Sequence, residues 1–153
     1  MFVAIGGRRM YLWRAVDGEG EILDVLVQPR RDKRAALRLM RKLLKKQGKA
    51  PEALVTDRLG SYGAAVRDLG LAGVHVQAKT ENNRAESSHV PIRRRERKMQ
   101  GFRSSGSAQR FLAIHAAVAN TFTTSRHLVS ASSHRFLRAQ AFAAWRDALG
   151  VAA

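Results

Sequence analysis

The chain contains no cysteine among its 153 residues. That excludes disulfides, thiolate nucleophiles and cysteine-ligated zinc in one step. Acidic residues are scarce: 12 Asp and Glu stand against 28 Lys and Arg, for a formal net charge of +16. No apolar run approaches the ~18 residues that a membrane-spanning helix needs. Nor does any stretch near a terminus join a long apolar face to aromatic anchors, as a helix lying on a membrane surface would. At the N-terminus, Arg8 and Arg9 follow the short apolar run Phe2–Ile5. A secretory signal has the reverse order and a longer run, so a cytoplasmic location is expected.

What remains is a chain with 45% hydrophobic residues, enough for one domain with a packed core. A charge of this size repels itself in the compact state, and a polyanion relieves the repulsion. Nucleic acid is the partner such a balance favours. The plainer alternative is a soluble domain that is merely basic.

The first third alternates as strands do. Phe2–Ile5 is closed by Gly6-Gly7, Arg9–Val16 by Asp17-Gly18-Glu19-Gly20, and a third strand over Glu21–Gln28 by Pro29. Glycine and aspartate at these positions are hairpin-turn chemistry, so an antiparallel meander is predicted. Leu23, Val25 and Val27 are expected on one face of the third strand, with Ile22, Asp24 and Leu26 on the other. Asp32 then caps a helix running to about Gln47, with Gly48 at its C-terminal end. Ala36, Leu37, Met40, Leu43 and Leu44 form its apolar stripe. Ala53–Asp57 is a short strand ending on a carboxylate. Ser61–Leu69 reads as a helix and Val74–Gln77 as a last strand. A helix is expected from Asn82 or Asn83 to about Met99, with Pro91 as an internal irregularity. Two more helices, Ser107–Thr123 and Ser133–Leu149, close the chain. The predicted order β-β-β-α-β-α-β-α, with appended helices, makes an α/β mixed sheet covered by helices. The expected division is a core over residues 1–125 and a helical extension over 126–153.

Two carboxylates stand out by placement. Asp57 ends an apolar strand, where open sheets build their sites; it could equally cap the turn that follows. Glu86 lies in the first turns of the Asn82 helix, where the positive helix end also favours a carboxylate for stability alone. Glu86, His89 and Arg93 share a face at i, i+3 and i+7, aiming Arg93 at whatever Glu86 binds. Phosphoryl transfer by paired divalent cations needs carboxylates on adjacent elements, holding the ions ~3.5–4 Å apart. Asp17 also ends a strand, but Asp17-Gly18 is a hairpin pair and is read as a turn.

These strings resemble a known group. Tyr11-Leu12-Trp13-Arg14-Ala15-Val16-Asp17, Val55-Thr56-Asp57-Arg58-Leu59-Gly60-Ser61-Tyr62-Gly63 and Asn82-Asn83-Arg84-Ala85-Glu86-Ser87-Ser88-His89 are similar to insertion-sequence transposases of the DDE class, the insertion-sequence-six family. Arg93–Met99, Gly101-Phe102 and Ser107–Leu112 continue the match. The resemblance spans nearly the whole chain and implies a ribonuclease H-like fold. It makes Asp57 the second catalytic aspartate, Glu86 the catalytic glutamate and Arg93 a DNA contact, with Mg²⁺ or Mn²⁺ as cofactor. It also implies cleavage at transposon ends followed by strand transfer into target DNA, within a homo-oligomeric complex. Arg94, Arg95, Arg97 and Lys98, crowded on the same helical segment, are expected to meet phosphate with Arg93. In the family the first aspartate lies just upstream of the segment resembling Phe2–Arg9, and a helix-turn-helix finds the transposon ends. Neither falls within the chain, so a defective enzyme is expected, one that a decayed or misannotated element would leave.

Two functions of different class follow. One is a DDE catalytic domain; the other is a DNA-binding remnant without chemistry. An RNA-binding protein of unrelated fold fits less well, because no strand carries the exposed aromatics that stack bases.

Overall fold

A computed structural model of the chain describes residues 1–78, 85, 87–122 and 129–150. Strands β1 (Phe2–Ile5), β2 (Arg8–Val16) and β3 (Ile22–Gln28) form the predicted antiparallel meander in the order β1-β2-β3. Gly6 and Gly7 both take positive φ, 55° and 73°, the backbone that a two-residue hairpin demands and a side chain resists. At the second turn Asp17 Oδ1 accepts from the backbone N–H groups of Glu19 and Glu21, each at 2.9 Å. Asp17 is a turn residue, as its Asp-Gly pair indicates.

Helix α1 (Lys33–Gln47) begins where Asp32 accepts from Ala35 N and ends at Gly48 in the left-handed conformation. The short parallel pair β4 (Leu54–Thr56) and β5 (His75–Gln77) is bridged by α2 (Gly60–Asp68) and a 3-10 turn over Ala72–Val74. Helices α3 (Val90–Lys98), α4 (Ser105–Phe122) and α5 (Ala131–Leu149) follow. The molecule is therefore α/β. Among the described residues its strands make two hydrogen-bonded pieces, the antiparallel meander and the parallel pair, rather than one ladder.

Both faces of the meander are buried. On one, Val3, Ile5, Leu12, Val25 and Val27 pack with Ile92 of α3 and with Ala108, Leu112 and Ala116 of α4. On the other, Trp13 and Leu26 pack with Ala35, Ala36, Leu39 and Met40 of α1 and Ala65 and Val66 of α2. The face assignment for β3 needs one correction. Ile22 packs with Val25 and Val27, and Leu23 is outside that cluster. The register shifts between Ala15 and Val16, so Ala15 faces Asp24 while Val16 faces Ile22; such a bulge inverts the alternation beyond it.

The free edge of β3 is closed by side chains of α4. Gln109 accepts from Val27 N and donates to Val25 O, both at 2.9 Å. Asn120 accepts from Ile22 N at 2.9 Å and donates to Ile22 O at 3.0 Å. Two amides thus stand in for a neighbouring strand and satisfy an edge that would otherwise invite pairing.

The helix expected from Asn82 or Asn83 is interrupted. A turn at Ser88 and His89 precedes α3, and Pro91 sits in the first turn of the new helix. Proline has no N–H to bond the preceding turn but is at home where a helix begins. The start of the expected helix, with Asn82 and Asn83, lies outside the described residues. Helix α5 has a Ser130 N-cap but no buried residue; it meets α4 through Phe122 against Phe142 and Trp145, ring centroids 4.6 and 5.6 Å apart.

Candidate active site and nucleic-acid interface

Asp57 follows β4 directly. Its neighbour Thr56 is buried, and the Thr56 hydroxyl lies 2.8 Å from His75 Nε2, tying the end of β4, where the carboxylate emerges, to the start of β5. Asp57 Oδ1 accepts from Leu59 N at 3.1 Å, fixing the turn into α2. Oδ2 accepts from Arg31 Nη2 at 2.8 Å. The turn-capping role weighed for this residue is thus real, and it leaves the other oxygen in an ion pair. Beside them lies the Tyr62 phenol, its pKa pushed up to about 12, first by burial and then by the Asp57 charge, against the opposing effect of Arg31. Tyr62 meets Trp13 edge-on at 5.3 Å, linking the carboxylate to the core beneath.

Asp57 borders an open cleft of about 1580 Å³. Arg31 lines it on the Asp57 side. Ala85, His89, Arg93, Arg94 and Arg97 line the wall formed by α3 and the turn before it, and Arg14 of β2 lies between. Five arginines therefore share a cleft with the carboxylate. The expected basic group divides here. Arg93, Arg94 and Arg97 line the cleft, whereas Arg95 and Lys98, though exposed, do not. Arg95 instead lies near enough to His115 of α4 to help depress its pKa, after burial and Arg14.

Glu86 lies outside the described residues. The turn at Ser88 and His89 breaks the continuous helix on which the shared face of Glu86, His89 and Arg93 was argued. His89 nonetheless borders the cleft. Burial first, then the positive charges of the chain's amino terminus, Arg14 and Arg93, lower its pKa to about 3, so its ring is neutral at pH 7.

Arg14, Arg31 and Tyr62 are the residues that sequence reading did not single out. Arg14 and Tyr62 fall inside the strings that carry the resemblance, which was the one signal available. Nothing local marks Arg31, whose partner is 26 positions away.

A divalent cation needs several converging oxygen donors. Among the described residues no group of three or more His, Asp or Glu could hold a metal ion, and both carboxylate oxygens of Asp57 already accept hydrogen bonds. The described donor set does not by itself fit a metal centre.

A protein-family model described as a DDE domain matches residues 1–125. The transposase for the insertion sequence-like element IS431mec of Staphylococcus aureus is 32% identical over 104 residues, covering 65% of this chain and 46% of that protein. The transposase for insertion sequence element IS257 in transposon Tn4003, also from Staphylococcus aureus, matches to the same extent. An uncharacterized Yersinia pseudotuberculosis protein, pYV0051, is 30% identical over 93 residues, covering 60% of this chain and 83% of its own. The chain spans about half the length of the staphylococcal transposases it matches. No solved structure matches significantly.

Proposed function

Because the chain belongs to the DDE-domain transposase family, that of the insertion-sequence-six elements, we propose that it binds DNA in the Asp57 cleft as the catalytic domain of a transposase. The observation that carries this reading is the placement of Asp57 at a strand end, opposite Arg93, Arg94 and Arg97. A polyanion is drawn to the arginines, and the strand-end carboxylate is where a backbone phosphate would be worked on. Asp57 and Glu86 are the proposed catalytic and metal-binding carboxylates. The family implies a divalent metal, and Mg²⁺ or Mn²⁺ is the proposed cofactor. Transposon ends and target DNA are the proposed substrates.

The proposed fold is ribonuclease H-like, the meander and the parallel pair being portions of one sheet, with the core at residues 1–125 and α5 in an extension over 126–153. We place the chain in the cytoplasm; among the described residues no helix is long and apolar enough to cross a membrane. Self-association is part of the proposal, supported by α5, where Phe136, Phe142, Trp145 and Leu149 are exposed.

A second reading, DNA binding without chemistry, is favoured by one observation: Asp57 is committed to Arg31 and Leu59, and the described residues assemble no ligand set. Anisotropy titrations of a labelled duplex over a range of salt test the binding. Arg93→Ala with Arg97→Ala should weaken all sequences alike and flatten the slope of log K against log salt by about 0.9 for each phosphate no longer neutralised. An unchanged slope refutes the cleft as the DNA site. Strand cleavage assayed with Mg²⁺ or Mn²⁺ separates the two readings: cleavage by this chain that Asp57→Asn abolishes overturns the second, and its absence favours it over the first.

A further inference from the structure

Helix α1 carries seven basic residues and no acidic one. They divide by position. Lys33, Lys42 and Lys46 stand at its flanks and are tied into the fold. Lys33 Nζ meets Asp68 at 2.8 Å, Lys42 Nζ meets Asp24 of β3 at 2.7 Å, and Lys46 Nζ donates to the carbonyl oxygen of Leu23 at 2.8 Å. The other four, Arg34, Arg38, Arg41 and Lys45, are all exposed. Steps of four, three and four residues keep them within about 60° of one another around the helix. They lie opposite Ala35, Ala36, Leu39 and Met40, which seat α1 on the meander, so the stripe faces outward. A rise of about 1.5 Å per residue spreads it over about 16 Å. Of the chain's 12 acidic residues only Glu81 and Glu86 lie outside the described ones. Two carboxylates do not neutralise four cations, and among the described residues the ion pairs of α1 are those of Lys33 and Lys42. Helix α1 covers one face of the meander and α3 lies on the other. None of the four side chains lines the Asp57 cleft.

We propose that the outer face of α1 is a second duplex-binding surface, separate from the cleft, so that one chain holds two segments of DNA. A duplex presents about five phosphates per strand over 16 Å of its axis, and a straight stripe of four cations can follow such a backbone. Three of the four are arginines, whose planar fork grips two phosphate oxygens at once. A membrane surface fits less well, because the stripe holds no apolar side chain to insert. The choice of DNA as the polyanion rests on the proposed function; the stripe lies outside the Asp57 cleft and is tested apart from it.

The test uses the whole chain with three pairs of substitutions. The stripe pair is Arg34→Gln with Arg38→Gln, the cleft pair is Arg93→Ala with Arg97→Ala, and the control pair is Arg135→Gln with Arg146→Gln, at exposed positions of α5. Glutamine is at home in a helix, so the stripe pair should unfold at the wild-type midpoint. Binding of a short labelled duplex is followed by anisotropy. In a chain already carrying the cleft pair, adding the stripe pair should flatten the slope of log K against log salt by about 1.8, for two phosphates no longer neutralised. The affinity lost should then be roughly tenfold greater at about 50 mM salt than at about 200 mM. Adding Arg34→Lys with Arg38→Lys instead, which keeps the charges, should keep the slope. At saturation the wild type should take up two duplexes per chain and the stripe pair one. One duplex per wild-type chain overturns the proposal, as does a slope that the stripe pair leaves unchanged. An equal loss from the control pair also overturns it, since net charge alone would then account for the effect. Weakening by the cleft pair with none from the stripe pair sinks the α1 surface and leaves the cleft reading standing. The reverse result sinks the cleft as a DNA site and leaves the α1 surface.

Discussion

Ile92 is the single buried residue of α3, and it is fully buried. It belongs to the cluster of Val3, Ile5, Phe102 and Leu112, where the meander meets α4. The arginine-bearing helix is therefore held to the domain by one side chain and its immediate backbone. Ile92→Ala removes that anchor and leaves a void among side chains fixed by a sheet and a long helix, which cannot easily close over it. Such substitutions cost about 2–5 kcal/mol. The rigid surroundings put this one near the middle, at about 3 kcal/mol, or about 6–12 °C in midpoint for a chain of this size. Urea unfolding read by tryptophan fluorescence should show a lower midpoint with an unchanged slope. Val90→Ala, at the start of the same helix and about half exposed, should change little. DNA affinity should also fall in Ile92→Ala, although no charge is altered, because Arg93, Arg94 and Arg97 lose their common orientation. A cost below about 1 kcal/mol would refute the claim that α3 docks through Ile92, and affinity held at the wild-type level would refute its role in setting the cleft.

Replacing Asp57 by Asn should shift stability by no more than about 1 kcal/mol, since its pair with Arg31 is exposed at the arginine and only half-buried at the carboxylate and such pairs contribute little; a larger loss in urea unfolding would mean that the carboxylate is structural. The same variant should lower the Tyr62 pKa from about 12 while burial keeps it above 10, and an unmoved phenolate titration would show that the two groups are not coupled. Because the folded state depresses the His89 pKa to about 3 from 6.5, its contribution to stability is complete above pH 6.5 and is lost as pH falls toward 3. His89→Gln should therefore blunt the acid-induced loss over that window, and an identical pH profile for variant and wild type would refute the assignment. Arg95→Ala with Lys98→Ala should leave the salt dependence of duplex binding nearly unchanged, since neither side chain lines the cleft; a slope reduced as much as in Arg93→Ala with Arg97→Ala would place the DNA on the other side of α3.

How far the sequence reaches depends on how local the controlling interaction is. The limits of α1 could be read from Asp32 and Gly48, because a cap is settled within a few residues. The meander could be read from its glycine and aspartate turns for the same reason. The bulge at Ala15 and Val16 could not, since it is a property of two strands in register, and it moved Ile22 to the face that alternation had denied it. Asp57 was visible as the last residue of an apolar strand, yet its pairing with Arg31 joins segments that only the packing of α1 and α2 brings together. Two of the expected phosphate contacts, Arg95 and Lys98, were grouped with Arg93, Arg94 and Arg97 by crowding in the chain. A nine-residue helix presents them in different directions, and Ile92, facing inward, decides which ones reach the cleft.

Arg14 is the instructive failure. Arginine in a strand ordinarily reads as an exposed position, and alternation in β2 gave no reason to treat it otherwise. Its position instead follows from the same packing that buries Leu12 on that face, with α3 and α4 covering the strand end.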